Sequence, residues 1–231
     1  MSDDFKRIKD EIYHDVKEFP DAVYILEESD ASILVEDDTD GYSWRYEFTD
    51  TDAMDPAWLS DRIVVTPSAR DTGVLDIEQL KDFILSSIPK ETYQTMNRLV
   101  FVSDLEKDWD YLWEYKDERI DTDFSDLLEM HSLPDGLLGI NWSTNCVVVV
   151  NVGEIINTVR EMLESGEIYD YEYSSEVIIG LKTTIAHEFR HLQQNNPYVS
   201  EAVRKTFLDD PEIDAESFAR DIVDGVLHRM R

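Results

Sequence analysis

The chain has 231 residues, 42% hydrophobic and 11% aromatic, enough to bury a core and to exclude wholesale disorder. Its 52 acids against 21 bases give a formal net charge of −31. That excludes direct nucleic-acid binding, because phosphate contacts need clustered Lys and Arg, and no run reaches the about 20 consecutive apolar residues that span a bilayer.

A first helix is expected where Phe5, Ile8, Ile12 and Val16 share one face before Pro20. Three strand-like runs follow, Ala22–Leu26, Ser32–Val35 and Tyr42–Phe48; in the last, aromatic and polar residues alternate. The turn Asp37-Asp38-Thr39-Asp40-Gly41 lacks the distant Glu of a calcium loop. A strand at Arg62–Thr66, a helix over Asp76–Ile88 ended by Pro89, and a buried strand at Arg98–Val102 come next. Leu105, Trp109, Leu112 and Trp113 place a core-facing helix over Leu105–Tyr115. Leu137–Trp142, a Ser-Thr-Asn turn and the Cys146–Val150 run read as a hairpin. Helices near 154–165, 175–195 and 211–230, with a shorter one around 199–208, complete the chain. Strands in the first two thirds and helices in the last third predict an α+β fold with a mostly antiparallel sheet. A division into an N-terminal extension, 1–95, and a core, 96–231, is the expected organisation, with both parts in one domain as the alternative.

Met1-Ser2-Asp3-Asp4 lacks the pattern of a signal peptide, so the expected location is cytoplasmic, or a virion if the chain is viral, with no membrane partner. Cys146 is the only cysteine and sits among valines, as a small core residue does. With 30 Asp, 22 Glu and nine Lys, the composition points to adaptation to high salt, as in a halophilic microbe or its virus. The rival reading is an acidic decoy that occupies a basic partner.

The chemistry lies in His187-Glu188-Phe189-Arg190-His191. Histidines four apart stand one turn above each other on a helix face and can chelate one zinc, while Glu188 takes a proton from a water that the metal activates. On the helical wheel Val177, Ile178, Leu181, Ile185, Phe189 and Leu192 form one apolar arc, with Lys182, Arg190 and Gln193 opposite. The histidines flank the arc in a stripe with the small residues Gly180, Thr183 and Thr184, which leave room for a second helix or a cleft. Glu188 sits at the border of the arc, where burial raises the pKa of a general base.

A third ligand is expected from the last helix. Asp210 and Pro211 form its start, Ala215, Phe218, Ala219, Ile222, Val223 and Val226 form its apolar face, and Glu212 and Glu216 project from the edge of that face. Asp214, Asp221 and Asp224 are expected to point to solvent. Glu212 suits a third zinc ligand and Glu216 an acceptor for an imidazole N–H; the alternative is that both are rim acids favoured by the helix dipole.

Thr184–His191 followed by Glu212-Ile213-Asp214-Ala215-Glu216-Ser217-Phe218-Ala219 resembles the gluzincin metallopeptidases, in particular small members related to the ImmA/IrrE group. The resemblance covers about the last 45 residues. It implies a zincin-like fold, zinc held by His187, His191 and Glu212, Glu188 as general base and a peptide or protein substrate. Such enzymes often carry Asp four residues after the ligand Glu, where this chain has Glu216. They bind extended peptide on an edge strand, for which Cys146–Val150 is the candidate by position. Candidates for stabilising the transition state are Tyr171, Tyr173, Tyr198, Arg220 and His228. Zinc-dependent peptide hydrolysis thus stands against a non-catalytic zinc-containing assembly protein and an acidic decoy.

A net charge of −31 carries its own expectation. The melting temperature should rise between about 0.1 M and about 1 M KCl, as the Debye length falls from about 10 Å to about 3 Å. A flat or falling trend in a calorimetric salt series would remove the halophile reading.

Overall fold

The computed structural model describes residues 23–28, 32–37, 43–47, 56–119, 132–142, 146–196, 199 and 201–229. The helix expected over Phe5–Val16, most of the acidic turn and the Ser-Thr-Asn turn lie outside them. In chain order the elements are β1 (Val23–Glu28), β2 (Ser32–Asp37), β3 (Ser43–Glu47), α1 (Pro56–Arg62), β4 (Ile63–Val65), α2 (Pro67–Asp71), α3 (Ile77–Ser87) and α4 (Lys90–Tyr93). Then come β5 (Arg98–Val102), α5 (Leu105–Arg119), β6 (Gly139–Trp142), β7 (Val147–Asn151), α6 (Val152–Ser165), α7 (Tyr173–Asn195), α8 (Glu201–Arg204) and α9 (Pro211–Arg229). The fold is mixed α+β, with helices closing the chain.

The described residues form two sheets. β1, β2 and β3 form an antiparallel sheet, with Val35 opposite Trp44 and Ile33 opposite Tyr46. The second has the order β4-β5-β7-β6 and is mixed. β4 with β5 and β5 with β7 run parallel, and only β6 with β7 is antiparallel. The expectation of a mostly antiparallel sheet is therefore corrected for the central sheet. Parallel neighbours need long crossovers, which α2–α4 supply between β4 and β5. They are also covered on both faces, so their strands read as continuous apolar runs. Leu99, Val100, Phe101 and Val102, like Val147 through Val150, are fully buried.

Side chains alternate between the two covered faces. Leu99, Phe101, Val148 and Val150 join the larger core with residues of α1, α3, α6, α7 and α9. Val64, Val100, Val102, Val147 and Val149 meet Leu105 and Leu112 of α5. α6 begins at Asn151, whose side chain accepts from the Glu154 N–H, and ends at Gly166 in the left-handed region (φ 79°). Cys146 is buried.

No break in the core falls at residue 95. β4 pairs with β5, and Trp58, Leu59, Leu80, Phe83, Ile84 and Tyr93 share one hydrophobic cluster with Phe189. Tyr93 stacks on Phe189 at 5.8 Å between ring centroids. The proposed division into 1–95 and 96–231 thus cuts through a sheet and a packed core, because β4 is short and its pairing with β5 is non-local. A fragment beginning at residue 96 would expose the Phe189 face and should show no cooperative thermal melt by circular dichroism. A sharp melt close to that of the full chain would restore the division at 95.

Candidate metal centre

The site is built on α7, 23 residues long, whose apolar arc fastens it to the sheet. Val177, Leu181, Ile185, Phe189 and Leu192 are all 1% exposed or less. The small-residue stripe works as expected from its composition. A Cβ on Gly180 would come within 2.9 Å of Ile155 on α6, while Thr183 and Thr184 line a cavity of about 600 Å³ with the two histidines.

His187 and His191 share that cavity with their rings 4.6 Å apart and nearly perpendicular, at 81°. Their Nε2 atoms lie 3.0 Å apart. α9 packs on α7 and brings Glu212 across the pair, one carboxylate oxygen 3.5 Å from His187 Nε2 and the other 3.4 Å from His191 Nε2. The N-terminus of α9 is set as the sequence indicates, with Asp210 Oδ1 accepting from the Glu212 and Ile213 N–H groups. One ligand atom from each of the three residues falls within 4.8 Å of the others. Tetrahedral zinc with bonds of about 2.0–2.1 Å separates its ligands by roughly 3.3 Å, so the donor types and spacing fit such an ion.

Glu188 is 6% exposed and faces the same cavity. Burial, and secondarily the nearby Glu212 charge, push its carboxyl pKa up to about 8. Burial, then the neighbouring His191, lower the His187 pKa, with Glu212 and Glu216 pulling the other way; a neutral imidazole is the form that ligates metal. β6 approaches this carboxyl closely. A Cβ at Gly139 would lie 2.7 Å from Glu188 Oε1 and 2.8 Å from Thr184 Cγ2, so any larger residue there would force those side chains to shift. Asn141 Nδ2 donates to the Glu188 carbonyl at 3.2 Å and ties the strand to the helix.

Several sequence expectations are corrected here. Arg190 and Gln193, placed opposite the apolar arc, are buried at 6% and 3%, and Asp214, expected in solvent, is 4% exposed. Arg190 Nε donates to Asp214 Oδ2 at 2.6 Å and Nη2 to Oδ1 at 3.1 Å, while Nη1 donates to Gln193 Oε1 at 2.8 Å. The segment before α9 folds over this flank. The Leu208 N–H donates to Asp214 Oδ1 at 3.1 Å, and the guanidinium carbon lies 4.5 Å and 5.0 Å from the Phe207 and Phe218 ring centroids. A wheel drawn for an isolated helix leaves this flank to water; the 205–210 segment removes it.

Glu216 lines the cavity but hydrogen-bonds to neither imidazole among the described residues. His191 Nδ1 instead meets Gln194 Oε1 at 2.8 Å. The edge strand beside the histidines is β6, not Cys146–Val150, because β7 lies between β5 and β6. Of the transition-state candidates, Tyr171 is 78% exposed and stacked on Tyr169, Tyr173 packs on the core and Arg220 is exposed. None of these three lines the cavity. The side chains of Tyr198 and His228 lie outside the described residues. Asn195, one turn beyond His191, does line the cavity; its four-residue spacing from His191 was the sequence signal for it.

Comparison with known proteins returns nothing for this chain: no family model, no curated protein and no solved structure matches. Among the described residues, no helix is long and apolar enough to cross a membrane.

Burial alone would raise the Asp214 pKa, but hydrogen bonds from Arg190, Gln194 and the Leu208 N–H, with the Arg190 charge, leave it lowered. Removing one member of a buried pair strands the other, so Asp214→Ala should cost about 3–5 kcal/mol in urea unfolding. A lowered folded pKa stabilises the protein above the unfolded value of about 3.9 and ceases to do so as pH falls through the folded value. The gap between wild type and variant should therefore narrow only in acid; a loss under 1 kcal/mol at neutral pH would contradict the buried pair.

Proposed function

We propose that this chain is a zinc-dependent metallopeptidase of gluzincin type. The observation that carries this reading is the convergence of His187, His191 and Glu212 within 4.8 Å, in a cavity that also holds the buried carboxyl of Glu188. A wholly structural metal site has no need of a proton-accepting carboxyl at its mouth. A zinc ion bound by these three residues would polarise a carbonyl and lower the pKa of a water in its open position.

The chain's own residues supply the remaining steps. Glu188, held beside the ligands by α7, accepts the proton of the attacking water and passes it to the leaving amine. A divalent ion nearby would favour the carboxylate form of Glu188. Among the described residues β6 ends the sheet, so its outer edge would offer backbone groups to an extended peptide. Gly139 lets that strand run against Glu188, which sets a bound peptide backbone close to the base. Leu137, Leu138 and Ile140 give the cavity an apolar wall suited to peptide side chains.

Purified protein should carry about one zinc per chain, lost in His187→Ala and His191→Ala and weakened in Glu212→Ala, as measured by elemental analysis. Glu188→Gln should retain the metal and lose peptide hydrolysis by on the order of 10²–10⁴-fold, assayed on a peptide library in molar KCl. Unchanged hydrolysis in that variant would mean that another base or another enzyme does the work. Zinc without turnover in the wild type would favour the assembly protein.

A further inference from the structure

The neighbours of Gln194 fix which way round its amide lies. Gln194 Nε2 lies 3.0 Å from the Pro211 carbonyl oxygen and 2.7 Å from Asp214 Oδ2. A carbonyl can only accept, and Asp214 already receives two hydrogen bonds from Arg190 and one from the Leu208 N–H. The amide nitrogen must therefore face α9, which leaves Oε1 facing His191 Nδ1 at 2.8 Å. An amide oxygen has no proton to give, so Nδ1 of His191 carries the hydrogen and Nε2 is a bare lone pair. His187 Nε2 lies 3.0 Å from this lone pair.

We infer that Gln194 is a positioning residue that presets His191 in its Nδ1–H tautomer, with Nε2 presented toward Glu212. Gln194, rather than Glu216, accepts the imidazole N–H, and its own orientation is set by Asp214 of the buried Arg190–Asp214 pair. The order of dependence runs from the guanidinium to Asp214, to the Gln194 amide, to the imidazole. Every group between Arg190 and His191 is hydrogen-bonded at 2.6–3.1 Å, which leaves little freedom for the ring to turn. The consequence for metal affinity rests on the zinc reading above; the tautomer assignment does not. Groups that hold a liganding histidine are worth about 10–100-fold in metal affinity.

Nitrogen-15 NMR of metal-free protein at about pH 8.5, some two units above an ordinary imidazole pKa, reads the tautomer directly. Wild type should show His191 protonated at Nδ1. Gln194→Met keeps the length but removes both hydrogen-bonding groups, and should shift His191 toward the Nε2–H form and weaken zinc binding by about 10–100-fold. Gln194→Glu keeps an acceptor for Nδ1–H, loses the donor to Asp214, and should retain the wild-type tautomer. That contrast separates tautomer control from packing, since a purely structural role would make the two variants alike. His191 protonated at Nε2 in wild type, or a tautomer unchanged in Gln194→Met, would overturn the inference. A protein with the expected tautomer that binds no zinc would support it while removing the metallopeptidase reading.

Discussion

The buried ion pair between Arg190 and Asp214 is the constraint on which the site depends. Helices α7 and α9 meet through apolar residues, Ala219 and Val223 on one side and the Leu181–Leu192 arc on the other. Such contacts hold two helices together but specify rotation and register poorly, because small side chains slide over one another at little cost. A guanidinium and a carboxylate taken out of water tolerate no such slip, since a displaced partner leaves a buried charge unsatisfied. Asp214 lies two residues after Glu212, so fixing one fixes the other. The pair thereby brings a carboxylate that is itself 70% exposed to the two histidines without any packing of its own.

The same region is acidic. Glu188, Glu212 and Glu216 line one cavity of a chain whose net charge is −31, and among the described residues no lysine or arginine joins that lining. Burial is costliest for Glu188, whose carboxyl responds by holding its proton. Arg190 does not relieve this, because its charge is consumed by Asp214 on the other flank of α7. Positive charge is thus invested in geometry, on the flank of α7 that faces Asp214.

Much of this was legible in the sequence, in proportion to how local each feature is. α7 and α9 could be read from apolar periodicity, and the start of α9 from Asp210 and Pro211, because those signals lie within single elements. The helices α1, α2 and α4, with seven, five and four residues, are too short to show a 3.6-residue period and were missed. The direction of β5 and β7 was also hidden. A buried valine run is compatible with either direction, and the hairpin with β6 suggested the wrong one for the rest of the sheet. For the site, the convergence of His187, His191 and Glu212 follows from helical spacing, but the groups packed around them do not. Arg190, Gln193 and Asp214 looked like solvent-facing polar residues, and only the fold-back of residues 205–210 shows otherwise. Gln194 was invisible for the same reason, since its partners, the Pro211 carbonyl and Asp214, are distant in sequence.

X-ray absorption at the zinc edge, on protein purified without added chelator, tests the central claim most directly. The account predicts one zinc per chain in a shell of nitrogen and oxygen only, at about 2.0–2.2 Å, with the scattering pattern of two imidazoles. Sulfur in the shell, a single imidazole, or no zinc after supplementation would contradict it.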